Sequence, residues 1–166
     1  MTISDTKTGN YELSVTRHIA APPDKVWKVM TDRQDEWWCP KPWRSETKVM
    51  ERRAGGRWFG VMHGPDGEEM PNDGLMLAWE EGRRFIGTDA VQIVDGEYVP
   101  AGPFMIGCWE IEAEESDGIW GTRYTATARH WSKEAYDQHK EMGFEDGWAA
   151  CADQLAELCE KEAAEA

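Results

Sequence analysis

FMIGCWEIEAEESDGIWGTRYTATAR, residues 104–129, reads as two extended segments folded about a turn. In 104–114, Trp109, Ile111 and Ala113 alternate with Glu110, Glu112 and Glu114, the period of a strand with one apolar and one solvated face. The glutamates therefore belong to the surface. Ser116-Asp117-Gly118 supplies turn chemistry, and the chain returns over 119–129 as a second strand beside the first.

The same punctuation repeats upstream at Ala54-Gly55-Gly56, Pro65-Asp66-Gly67, Glu81-Gly82 and Asp95-Gly96. Between these breaks the chain spaces six strands, near 43–52, 57–63, 73–80, 83–93, 104–114 and 119–129. Short connections make an antiparallel meander their natural arrangement. Asp95 to Pro103 is the longest irregular piece and is expected to cover a cavity mouth. Before the meander, Tyr11, Leu13, Val15, Arg17 and Ile19 alternate as a first strand that ends at Ala21-Pro22-Pro23-Asp24. Proline and an acidic first turn start a short helix over 23–31. A second short helix, Gln34 to Trp38, stops at Cys39-Pro40-Lys41-Pro42, because the residue before proline is pushed out of helical geometry. After the meander Ser132 caps a final helix expected to run to about Glu162, about 45 Å. Its inward stripe passes through Ala135, His139, Met142 or Gly143, Gly147, Ala150 or Cys151, Leu155 and Leu158, with Gly143 and Gly147 permitting close approach to the sheet.

A chain of 166 residues buries one sizeable core. The formal charge of -14 repels phosphate backbones and anionic lipid surfaces, so neither nucleic acid nor membrane is an expected partner. Cys39, Cys108, Cys151 and Cys159 form no CxxC pair and read as free thiols of a reducing compartment. With a polar leader, Met1 to Asn10, and no apolar run of membrane-spanning length, the expected location is cytoplasmic. His18, His63, His130 and His139 show no metal-binding spacing, and no nucleophile signature occurs, so no cofactor, metal or catalytic residue is assigned.

Specific residues then carry a resemblance. Trp37-Trp38-Cys39-Pro40 is similar to a WWGP-type motif. Together with Gly55-Gly56-Arg57-Trp58, Met62-His63-Gly64-Pro65-Asp66-Gly67, Pro103-Phe104-Met105 and Met142-Gly143-Phe144-Glu145-Asp146-Gly147-Trp148, it makes the chain resemble the START-like (SRPBCC) superfamily. The branch is the one carrying the domain of the activator of Hsp90 ATPase (AHSA1-like). The resemblance covers about residues 11 to 161 and implies a helix-grip, α+β fold: a curved antiparallel sheet of about seven strands around a long C-terminal helix. It also implies a cavity between sheet and helix that takes a small apolar ligand.

Strand alternation and that resemblance nominate Trp38, Trp58, Met62, Met76, Phe85, Trp109, Tyr124, Met142 and Trp148 as lining residues. Trp38, rather than Trp37, is taken as the inward ring. Gly60, Gly87 and Gly107 fall mid-strand where relatives carry larger side chains, and so make room either for a ligand or for surplus tryptophan rings. Two other functions stand beside ligand binding. One is a module that stimulates an Hsp90-like chaperone, expected to act without the additional N-terminal domain of eukaryotic activators. The other is an enzyme of cyclase or dehydratase type using the same cavity. Ten tryptophans also suggest a homodimer contact.

Overall fold

The computed structural model describes residues 11–165; the polar leader falls outside them. Strand β1 (Glu12–Ile19) leads into helix α1 (Pro23–Asp32) and the single turn α2 (Gln34–Trp37). Pro23 opens α1 with its φ already helical and Asp24 in the first turn. Strands β2 (Arg44–Met50), β3 (Arg57–His63), β4 (Glu69–Glu80), β5 (Arg84–Thr88), β8 (Met105–Ser116) and β9 (Ile119–His130) follow in meander fashion. They join β1 in one antiparallel seven-stranded sheet of order β1-β9-β8-β5-β4-β3-β2.

Two expectations are corrected here. Residues 83–93 are not one strand, because β5 ends at Thr88, and the segment expected to be irregular forms a separate hairpin, β6 (Val91–Val94) with β7 (Glu97–Pro100). Asp95 (φ 51°) and Gly96 (φ 82°) form its turn, the positive-φ pair that a two-residue hairpin requires. The hairpin is tied back by Tyr98, whose hydroxyl donates to Gly55 O at 2.8 Å.

The second correction concerns the C-terminal helix. Ser132 caps as expected, its hydroxyl accepting from Ala135 N at 3.1 Å. The helix then breaks, giving α3 (Lys133–Glu141) and α4 (Phe144–Glu165). Gly143 sits at φ 89° and donates to Lys140 O, which closes the end of α3 in the left-handed way that glycine permits. Gly143 is thus a breaker and not part of a packing face, and Met142 beside it is 62% exposed. Gly147 meets Pro40 rather than the sheet. With 22 residues, about 33 Å, α4 lies against β1, α1 and α2.

The sheet floor under α4 is bare where Gly87 and Gly107 pair directly across β5 and β8. A Cβ on Gly107 would fall 2.6 Å from Trp109 Cη2, and one on Gly87 2.7 Å from Trp58 Cε3. These two glycines seat indole rings. Gly60 has a different role: it lies against the Glu46 carbonyl beside the β2 irregularity at Thr47/Val49. Gly107→Ala is expected to cost about 1–3 kcal/mol through overpacking, to be checked by denaturant unfolding; a cost near zero would mean that the rings are loosely held.

Candidate functional site

Between sheet and helix the structure places a column of parallel rings. Trp79 (β4) stacks on Phe85 (β5) at 5.2 Å, Phe85 on Trp109 (β8) at 5.4 Å, and Trp109 on Trp148 (α4) at 5.7 Å, with interplanar angles of 16°, 19° and 19°. Sheet register builds the first two contacts, because Trp79 pairs with Phe85 and Phe85 with Trp109 directly across strands. Three more indoles meet the column edge-on. Trp27 touches Trp79 and Phe85, Trp58 touches Phe85 and Trp109, and Trp38 touches Trp109 and Trp148 at 5.5 and 5.2 Å. Offset-parallel and edge-on contacts are the two arrangements that ring quadrupoles favour.

Of the nominated lining residues, Trp38, Trp58, Met76, Phe85, Trp109, Tyr124 and Trp148 join this one core cluster, whereas Met62 and Met142 stand outside it. The break at Gly143 turns Met142 to solvent. Trp37, expected to face away from the cavity, is fully buried, packing on Tyr124 at 6.0 Å and donating its indole N–H to Met30 O. Both neighbouring rings reach the core because α2 ends at Trp37 and Trp38 continues on extended backbone (φ -79°, ψ 144°). The same-face rule for helices does not apply across that boundary.

Gln154 on α4 clasps this segment. Its amide nitrogen donates to Trp37 O at 2.8 Å and Cys39 O at 3.1 Å, and its oxygen accepts from Lys41 N at 3.1 Å. Gln154→Ala is expected to cost about 1–3 kcal/mol and to speed amide exchange over 37–43, as hydrogen-exchange mass spectrometry would read; unchanged exchange there would deny the clasp.

Electrostatically the interior is neutral. Burial pushes the thiols up, Cys39 to about 11 and Cys151 and Cys159 to about 12, so they stay protonated. Burial likewise holds the Tyr124 phenol well above its ordinary value, keeping it a neutral donor. Trp27 and Trp79 both give their indole N–H groups to Glu81, at 2.9 and 2.7 Å, which holds that carboxyl below the usual range. Trp109 Nε1 and Tyr124 Oη are buried with no partner among the described residues.

Two histidines that sequence distance left apart converge. His130 Nδ1 lies 2.7 Å from Tyr11 O and must donate to it, so its Nε2 accepts from His139 Nδ1 at 2.8 Å. Nothing in their nine-residue spacing marks the pair, because it depends on α3 folding back over the end of β9. His63 lies on the outer face and bonds Glu46 at 2.9 Å. Glu112 and Glu114 face outward and pair with Arg123. Among the described residues no group of three metal-binding side chains gathers, and no helix is long and apolar enough to cross a membrane. A recess of about 260 Å³ opens outside the grip, between α1, α2 and β2. Arg33 pairs there with Glu36 and Arg52 with Asp32, while Asp35 accepts from Thr47.

Comparison with known proteins agrees with this architecture. A crystal structure of a protein from Nitrosomonas europaea superposes with a TM-score of 0.80 at 36% identity, over 92% of this chain and 96% of that one. One from Mycobacterium smegmatis gives 0.70 at 28%, over 89% and 90%. The AHSA1 protein of Silicibacter pomeroyi, 18% identical over 91% and 99% with a TM-score of 0.66, shares the fold. No curated protein matches. The profile described as "Activator of Hsp90 ATPase homolog 1-like protein" matches residues 20–160, which bears out the resemblance carried by the tryptophan, glycine and proline motifs. The chain belongs to the activator of Hsp90 ATPase homolog 1-like family.

Proposed function

We propose that this domain receives a small, flat aromatic molecule between sheet and α4, in exchange for the ring of Trp38. The observation that carries the reading is the position of that ring. Trp58, Trp79, Phe85, Trp109 and Trp148 are fixed by strands or by α4, while Trp38 lies beyond the end of α2 on extended backbone and is only half-buried. A ligand that takes its place meets the same two indoles, Trp109 and Trp148. Each ring buries about 150–250 Å², so expulsion of Trp38 offsets most of what the ligand gains. Removing the competitor should therefore strengthen binding. Titration with indole, followed by tryptophan fluorescence, should show Trp38→Ala binding more tightly than the natural chain. Equal or weaker binding by the variant would end the exchange idea.

A second reading, a surface module for an Hsp90-like ATPase, has one observation in its favour beyond the family name. Ile119 and Trp120 stand 53% and 62% exposed at the β8–β9 turn, an apolar spot suited to a protein partner. Stimulation of the host Hsp90 homologue's ATPase, lost in Trp120→Ala, is its expected result; no stimulation by the natural chain dismisses it.

A further inference from the structure

We infer that the molecule accepted in the grip carries a neutral hydrogen-bond acceptor, a carbonyl oxygen or ring nitrogen, which Tyr124 Oη and Trp109 Nε1 are placed to meet; this rests on the receptor reading above. Tyr124 is 0% and Trp109 4% exposed, yet neither polar atom has a partner among the described residues. Buried polar groups are ordinarily paired. Three other indoles of the core are paired: Trp27 and Trp79 donate to Glu81 and Trp37 to Met30 O. A third such atom, His18 Nε2, belongs to a ring bonded to Glu114 on the outer face, which leaves Trp109 and Tyr124 as the unmet pair on the inner face. Both point to the inner face from adjacent strands, Trp109 pairing with Ala126 and Ile111 with Tyr124.

The local chemistry selects the acceptor. The only charged neighbour in register, Arg17 across from Tyr124 on β1, already pairs with Asp153 at 2.7 Å. A carboxylate would enter without a free counter-ion and against a chain of formal charge -14. A neutral acceptor on a flat ring system satisfies the two donors and the rings together.

Naphthalene and quinoline test the idea, since they share an outline and differ by one ring nitrogen. The natural chain should favour quinoline by roughly tenfold, the ratio that one buried hydrogen bond supplies. That preference should fall toward parity in Tyr124→Phe or in Trp109→Phe, with naphthalene affinity retained in Tyr124→Phe. Tyr124→Phe should also melt higher, by roughly 2–4 °C, because an unmet hydroxyl is removed. Equal binding of the two probes by the natural chain, or a preference untouched by either substitution, overturns the acceptor inference and leaves the receptor reading standing. A lower melting temperature for Tyr124→Phe overturns it too, by showing the hydroxyl already satisfied. If neither probe binds at all, and Trp38→Ala also fails to bind indole, the receptor reading falls and the inference with it.

Discussion

Trp109→Ala will lower the free energy of unfolding by about 3–5 kcal/mol, the range for deleting a large aromatic side chain from a core. The upper part of that range applies here because the ring is shared. Trp109 stacks on Phe85 and Trp148 and receives Trp38 and Trp58 edge-on. Its loss removes one ring contact from each of four rings, and Gly87 and Gly107 beneath offer no side chain to close the gap. In urea the midpoint should fall with little change in slope. Trp120→Ala, at an exposed ring, should stay within about 0.5 kcal/mol. Were the two variants equally mild, the ring column would not be what holds sheet to helix.

Acid will weaken the fold well above the pH at which its paired carboxylates titrate. His139 is enclosed by Phe104, Phe144 and Trp148, at ring distances of 5.0, 4.9 and 5.7 Å. Burial pushes its pKa down to about 4, and charge on His130 adds to the effect. An unfolded histidine titrates near 6.5. Between those values the unfolded chain holds a proton that the folded chain refuses, so stability is complete above about pH 6.5 and declines as pH falls toward 4. The loss is at most about 3.5 kcal/mol, 2.5 pH units at about 1.4 kcal/mol each. Glu80 and Glu114, held below the ordinary carboxylate range by Arg84 and by His18 and Arg123, add their losses only lower down. Urea unfolding between pH 7 and pH 5 should show the decline in the natural chain and a flat profile in His139→Asn, whose amide can still donate to His130. An unchanged slope in that variant would place the acid sensitivity elsewhere.

Much of this core was legible in the residues. The turn at Glu81-Gly82 sets Trp79 opposite Phe85, and alternation puts Trp109 and Ile111 on the face away from Glu110 and Glu112. Mid-strand Gly87 and Gly107 signalled that something large approaches the sheet. Whether that was ligand or indole depended on summed ring volumes from β3, β8, α2 and α4, which no local window contains. Trp37 faces the core against expectation because the helix boundary lies one residue earlier than the proline rule suggests. The C-terminal break was missed for a related reason: the apolar spacing continues through Met142 and Gly143, and only the backbone at φ 89° reveals the stop.

Period, turn chemistry and motif order were enough to specify an antiparallel meander, two small helices, a closing helix and the family, since each is written in residues a few positions apart. The partnership of β1 with β9, the ring column filling the grip, the convergence of His130 with His139 and the two unmet donors at Trp109 and Tyr124 arose on folding. Each depends on side chains from distant segments meeting at atomic distances, and close packing settles such meetings by volume and direction together.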